Sequence, residues 1–163
     1  MNDHKIRATG APQRSQTRPC HRILVADDET AILQLMTDVL AHSGYHVDAA
    51  EDGAIAWAAL QAKPYDLLIT DHDMPKVTGV DLVKHLRSAR MALPVVMVSG
   101  ELPSHELAQY PSLQLAATLE KPFAIADLLA TVENVLRATE SPHEQIKPLP
   151  DWSNQPAGDG LRL

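Results

Sequence analysis

Leu67-Leu68-Ile69-Thr70-Asp71-His72-Asp73-Met74-Pro75 (LLITDHDMP) is the stretch whose reading decides the fold. Four apolar or β-branched residues in a row, Leu67 to Thr70, predict a short strand buried on both faces, as in a parallel sheet. The strand runs straight into Asp71, His72 and Asp73. Pro75 cannot donate to a sheet ladder, so the chain leaves the sheet there. A carboxylate at the carboxyl end of a buried parallel strand lies where open α/β sheets place their chemistry. A strand that merely ends in solvent would show the same acids, so the other strand ends have to decide.

Upstream, Arg22-Ile23-Leu24-Val25-Ala26 is a second continuous apolar run, and it ends in Asp27-Asp28-Glu29. The helix expected next carries Ile32, Leu33, Leu35, Met36, Val39 and Leu40 at 3.6 spacing. Gly44 is the natural left-handed residue to stop it. Tyr45 to Ala50 alternates weakly and predicts a partly exposed strand. Asp52-Gly53 opens an Ala-rich helix to about Ala62, with Ile55 and Leu60 as core contacts and Trp57 as a packing residue. The residue before Pro64 is pushed out of the helical region, which ends that helix.

Downstream, Gly79 leads into a helix from Val80 to about Arg90, with Leu82, Val83 and Leu86 inward. Pro94 to Val98 is a fourth buried strand and stops at Ser99-Gly100-Glu101. A short helix is expected over Ser104 to Tyr110, then a fifth strand over Leu113 to Leu119 closed by Glu120-Lys121-Pro122. Ala124 to Ala138 is the last helix, with Ile125, Leu128, Leu129, Val132, Val135 and Leu136 inward. Strands alternating with helices predict an α/β fold with a mostly parallel sheet and helices on both faces. Right-handed crossovers leave few ways to wind it.

Composition is compatible with one such domain and two tails. A chain of 163 residues, 45% hydrophobic and only 4% aromatic, can build one aliphatic core. Residues 1–20 lack apolar periodicity and carry Lys5, Arg7, Arg14 and Arg18 against Asp3, so they are expected to be a disordered basic tail. Residues 139–163, with four prolines, are expected to be a second disordered tail, leaving 21–138 as the folded domain. The net charge of −7 argues against nucleic acid as a direct partner. No apolar run approaches a membrane span or a signal peptide, and the lone Cys20 offers neither a disulfide nor a ligand cluster. A cytoplasmic protein, monomeric or weakly dimeric, is the expectation.

The strand ends converge on one edge of a parallel sheet: Asp27 and Asp28, Asp71, Ser99 and Lys121. Carboxylates this close repel unless something neutralises them. A hard dication such as Mg²⁺ does so with one or two carboxylates, a carbonyl and waters, and keeps positions open for phosphate oxygens. Lys121 adds a fixed cation and Ser99 a hydroxyl. The chemistry this suits is in-line phosphoryl transfer to a carboxylate.

The motifs VADDE, ITDHDMP, MVSGE and LEKPF, in this order on alternating strands, resemble the receiver domain of bacterial two-component response regulators over about Arg22 to Ala138. The resemblance implies a five-stranded, doubly wound, flavodoxin-like sheet in the order 2-1-3-4-5. It implies Asp71 as phosphoacceptor, Asp28 as direct Mg²⁺ ligand with Asp27 acting through water, and the backbone carbonyl of Asp73 as a further ligand. Ser99 then matches the switch hydroxyl, Lys121 the phosphate-pairing cation, Lys121-Pro122 a cis peptide and Gly79 the turn glycine. The implied donor is a histidine kinase or a histidine phosphotransfer protein. With no output domain following in the sequence, signalling by protein contact or onward relay to an unknown partner is expected.

One position departs from the family. Thr118 stands where an aromatic usually swings inward as the hydroxyl moves, and it cannot fill that volume, so an altered switch is implied. His72 is expected to point away from Asp71 and Asp73 by strand alternation and to serve packing or the surface. His42, His46, His85 and His105 lack ligand spacing. Two alternatives share parts of the pattern. A haloacid-dehalogenase-like phosphatase also uses Asp-x-Asp with Mg²⁺, but normally on the first strand. A phosphorylation-dead receiver would act as a binding module only.

Overall fold

The computed structural model describes residues 20–140. The expected tails over 1–20 and 139–163 fall outside these residues apart from Cys20, Thr139 and Glu140. Strands β1 (Arg22–Ala26), β2 (His46–Ala50), β3 (Leu67–Asp71), β4 (Val95–Ser99) and β5 (Ala117–Glu120) form one sheet in the order β2-β1-β3-β4-β5. Every pairing is parallel, with Ala26 beside Thr70, Asp71 beside Val98 and Ser99 beside Glu120. The doubly wound architecture expected from the sequence is therefore the one observed.

Strand alternation divides the core into two halves. Ile23, Val25, Leu67, Ile69, Val96 and Val98 pack on one face against helices α1 (Thr30–His42) and α5 (Ile125–Glu140). Leu24, Ala26, Leu68, Val95 and Met97 pack on the other against α2 (Gly53–Ala62) and α3 (Gly79–Ser88). Strands β3 and β4 are buried at every position, which is why they read as unbroken apolar runs. Trp57 packs against the second half, its ring centroid 5.6 Å from that of His85.

Several local expectations fail for identifiable reasons. Leu35, Ile55 and Ile125, expected on core faces, are each close to half exposed. On α1 the buried positions are Leu33, Met36 and Leu40, an i, i+3, i+7 row that leaves Leu35 off the stripe. The fifth strand starts at Ala117 rather than Leu113. Pro111–Leu113 instead form a 3-10 turn, and Gln114 is left-handed at φ 46°. Arg87 holds this turn: its guanidinium donates to the carbonyls of Leu113 at 2.9 Å, Met91 at 2.8 Å and Leu93 at 3.0 Å. Between β4 and β5 lies α4 (Ser104–Gln109), none of whose residues is buried.

The last helix runs to Glu140, past the expected boundary at Ala138. His21 Nε2 lies 2.9 Å from Glu140 Oε1, and Thr139 Oγ1 donates to the Leu136 carbonyl at 2.7 Å, so the final turn has partners to hold it. At the β2 edge, Asp48 Oδ2 accepts from Tyr65 at 2.8 Å and lies 3.2 Å from Arg22 Nη1. Its burial and this carboxylate push the Tyr65 phenol up to about 12. Among the described residues no helix is long and apolar enough to cross a membrane.

Candidate functional site

The carboxyl ends of the strands carry their ladder one step into the loops. Asp27 N donates to the Ala50 carbonyl at 3.1 Å, His72 N to Val98 at 3.1 Å and Lys121 N to Ser99 at 2.8 Å. These bonds hold the three loops that carry Asp27, Asp71 and Lys121 in register with the centre of the sheet. Lys121 then reaches across from the β5–α5 loop, and the Lys121–Pro122 peptide is cis, as the family resemblance implies. Its Nζ stands 3.0 Å from Asp27 Oδ2, 3.0 Å from Asp71 Oδ1 and 3.2 Å from Glu29 Oε1. Asp27 is fully buried and Asp71 is 3% exposed, so these two acids meet the ammonium away from solvent, while the Glu29 carboxylate reaches it from the exposed side.

Burial dominates the ionisation of Asp27 and raises its carboxyl above the usual range, although hydrogen bonds from Lys121 and the Glu29 N–H pull it down. Burial would by itself lower the Lys121 ammonium. Hydrogen bonds to Asp27 and Asp71 outweigh it and hold the group above its ordinary value. Both partners of one ion pair are thus raised. The asymmetry has a plain source: the lysine faces several anions, whereas Asp27 faces one lysine and no water.

The loop after Asp71 is pinned at three points. Gly79 is obligatory, because a Cβ there would collide with the Asp71 carbonyl and sit 3.0 Å from the His72 Cα. The Gly79 N–H donates to the His72 carbonyl at 2.9 Å. Lys76, left-handed at φ 68°, places its ammonium 2.6 Å from Asp52 Oδ2. Asp52 caps α2 through Ile55 N at 2.8 Å, and its hydrogen bonds from Lys76 and Ile55 hold its carboxyl below the usual range. Gly53 packs directly under Val77.

The candidate residues fall into two groups. Asp27, Asp71 and Lys121 are in direct contact. Asp28 is exposed beside them, and among the described residues its carboxylate takes no hydrogen bond or ion pair. Ser99 is fully buried, but its hydroxyl is folded onto its own loop, donating to the Glu101 carbonyl at 2.6 Å and accepting from the Glu101 N–H at 3.2 Å. Thr118 is exposed on β5 opposite Met97.

The expected orientation of His72 needs correcting. Its side chain is mostly buried, as a packing role requires, yet Nε2 lies 3.8 Å from Asp73 Oδ1 rather than turned away from it. Strand β3 ends at Asp71, so the alternation that would separate residues 72 and 73 stops one residue too early. Asp73 itself has an exposed side chain. Sequence reasoning missed Glu29, Asp52 and Lys76. The third acid of the Asp27-Asp28-Glu29 run was the one available signal for Glu29.

All donors at this edge are carboxylate, carbonyl or hydroxyl oxygens, the set a hard cation selects. Among the described residues no three acidic, histidine or cysteine side chains form a ready-made cage. A Mg²⁺ ion that keeps most of its waters needs only one or two carboxylates, so the donor set fits that ion.

Residues 23–133 match the family model described as the response regulator receiver domain. The chain is 32% identical over 130 residues to the alkaline phosphatase synthesis transcriptional regulatory protein PhoP of Bacillus subtilis, covering 77% of this chain and 53% of that protein. It is 31% identical over 117 residues to the response regulator receiver protein CpdR of Brucella abortus, covering 72% of this chain and 98% of that one. The chemotaxis response regulator CheY4 of Vibrio cholerae superposes with a TM-score of 0.64 at 32% identity, covering 71% of this chain and 98% of that structure. The chain spans about half the length of PhoP and of several other curated relatives. With the sheet order and the family match in agreement, this chain belongs to the response regulator receiver domain family.

Proposed function

We propose that the protein takes a phosphoryl group onto Asp71 from a phosphohistidine on a histidine kinase or a phosphotransfer protein. Receiver domains are signalling domains, and this reading makes Asp71 a stoichiometric acceptor rather than a turnover catalyst. The observation that carries it is the Asp71 carboxylate, almost buried, held 3.0 Å from Lys121 at the end of a fully buried strand. An Asp71 oxygen attacks phosphorus in line. The P–N bond of the donor breaks, and its electron pair stays on the ring nitrogen, which leaves as neutral imidazole when the other nitrogen is protonated.

Asp28, Asp71 and the Asp73 carbonyl would hold Mg²⁺, with Asp27 bound through water. Bound there, Mg²⁺ screens the charge between the acceptor and the incoming phosphoryl group. Lys121 supplies the second positive contact, and its rigid ladder bond to Ser99 fixes where that charge sits. Incubation with Mg²⁺ and acetyl phosphate should yield a hydroxylamine-labile acyl phosphate that peptide mass spectrometry places on Asp71. Excess EDTA should abolish it. A wild-type chain that stays unlabelled with Mg²⁺ present is a binding module only.

We further propose that a protein partner reads the phosphorylated state through an altered switch. Ser99 can reach the phosphoryl group only by releasing both hydrogen bonds to Glu101, which frees the start of the segment leading to α4. Thr118 is too small and too exposed to follow inward as an aromatic would. Amide shifts induced by beryllofluoride should therefore extend from Ser99 into Glu101–Gln109. Shifts confined to Asp27, Asp71 and Lys121 would rule out this route.

A further inference from the structure

The three carboxylates that share the Lys121 ammonium differ in where else they can go. Asp27 is fully buried, and its Oδ1 already accepts the Glu29 N–H at 2.8 Å. Asp71 is 3% exposed and is the proposed acceptor. The Glu29 side chain is 62% exposed, so water can solvate its carboxylate as soon as it lets go. Glu29 also occupies the N-cap position of α1 without making a side-chain cap bond. Its carboxylate is turned to Lys121 at 3.2 Å instead of to the helix N–H groups, so helix entry does not depend on it.

We propose that Glu29 is a positioning residue for phosphoryl transfer, parking the Lys121 ammonium in the resting site and yielding it to the phosphoryl oxygens when Asp71 is modified. This inference rests on Asp71 being the acceptor. A phosphoryl group on Asp71 adds anionic oxygens to a cluster in which several carboxylates already share one ammonium. One anion must leave, and the exposed one leaves most cheaply. Until then Glu29 holds the ammonium at 3.2 Å and competes for it with the incoming phosphoryl oxygens. Glu29 therefore restrains phosphoryl uptake.

Acetyl phosphate isolates the step. An O–P bond forms to Asp71, the bridging P–O bond of the donor breaks, and its electron pair leaves on acetate with no proton transfer required. The test is the initial rate of acyl-phosphate formation on the full chain with Mg²⁺ present. Glu29→Gln is expected to label about fivefold faster, the upper end of what an ion pair with one exposed partner contributes. Glu29→Asp keeps the charge but is one methylene too short to reach Lys121, and it is expected to behave like Glu29→Gln. Glu51→Gln removes an exposed acid just beyond β2 at the same end of the sheet and should label at the wild-type rate.

A readout without chemistry runs in parallel. Mg²⁺-beryllofluoride affinity, followed by ¹⁹F NMR, should tighten in both Glu29 variants and not in Glu51→Gln. Wild-type behaviour of Glu29→Asp beside a faster Glu29→Gln would mean that charge alone acts, and would overturn the proposal. So would a wild-type rate in Glu29→Gln. A wild-type chain that labels elsewhere than Asp71 overturns the acceptor assignment instead.

Discussion

Asp71→Asn is expected to bring acyl-phosphate formation down to the level of a control without phosphodonor, while the protein stays folded. The amide offers no anionic oxygen to phosphorus, so nucleophilic attack is lost outright rather than slowed. The fold should tolerate the change because Asn keeps the shape of Asp, and its carbonyl can still accept from Lys121. Asp27 and Glu29 continue to neutralise that lysine. Asp71 is also a like charge facing the fully buried Asp27, and it is one of the forces that raise the Asp27 carboxyl. Removing it relieves repulsion, so the thermal midpoint should hold or rise, as is common when a strained functional charge is deleted. Radiolabelling and a thermal melt on the same preparation separate the outcomes. Labelling at the wild-type level would place the acceptor elsewhere, and a collapsed melt would make Asp71 chiefly a structural member of the ion cluster.

The parts of the molecule that a linear pattern controls were legible in that pattern. Continuous apolar runs at Ile23–Ala26, Leu67–Thr70 and Val95–Val98 mark strands buried on both faces, because only such strands have no polar face to show. The polar residue that ends each run, and Lys121 just after β5, then fall on one edge by topology alone, which is why Asp27, Asp71, Ser99 and Lys121 could be grouped from distant positions. What the sequence hid depends on three-dimensional partners. Arg87 takes the carbonyls around Leu113 and delays β5, and no local propensity announces that. Leu35, Ile55 and Ile125 are apolar and helical, yet the stripe they would join is already filled by their neighbours. His72 follows a strand that stops at Asp71, and a one-residue boundary decides which way its ring faces. Ser99 is legible as a hydroxyl at a strand end, but its engagement with the Glu101 backbone is a loop conformation that residue type does not specify.

Lys121→Met should be the most destabilising single substitution at the site, and its cost should depend on pH. Methionine keeps much of the apolar stem and deletes the ammonium, leaving Asp27 fully buried and Asp71 nearly so with no cation between them. Removing one partner of a buried ion pair costs about 3–5 kcal/mol because an uncompensated charge remains. The lower end applies here, since one of the two acids can take up a proton and share it with the other. That escape fixes the sign of the pH dependence. Asp27 is already raised with Lys121 in place, and without it the carboxyl rises further. A group raised in the folded state binds more protons folded than unfolded, so its favourable contribution is present at low pH and lost as pH rises through the folded value. The variant should therefore approach wild-type stability in acid and fall away from it toward neutrality. The wild-type advantage comes from a lysine whose own raised value keeps it charged well above neutrality, and it fades only in strong alkali. Urea unfolding across the acid-to-neutral range reads both trends, and added Mg²⁺ should raise the midpoint of the variant more than that of the wild type, because a dication bound only by the folded state replaces the missing charge. A loss below about 1 kcal/mol that does not vary with pH would mean that water already reaches Asp27 and Asp71 and that Lys121 is not their neutralising partner.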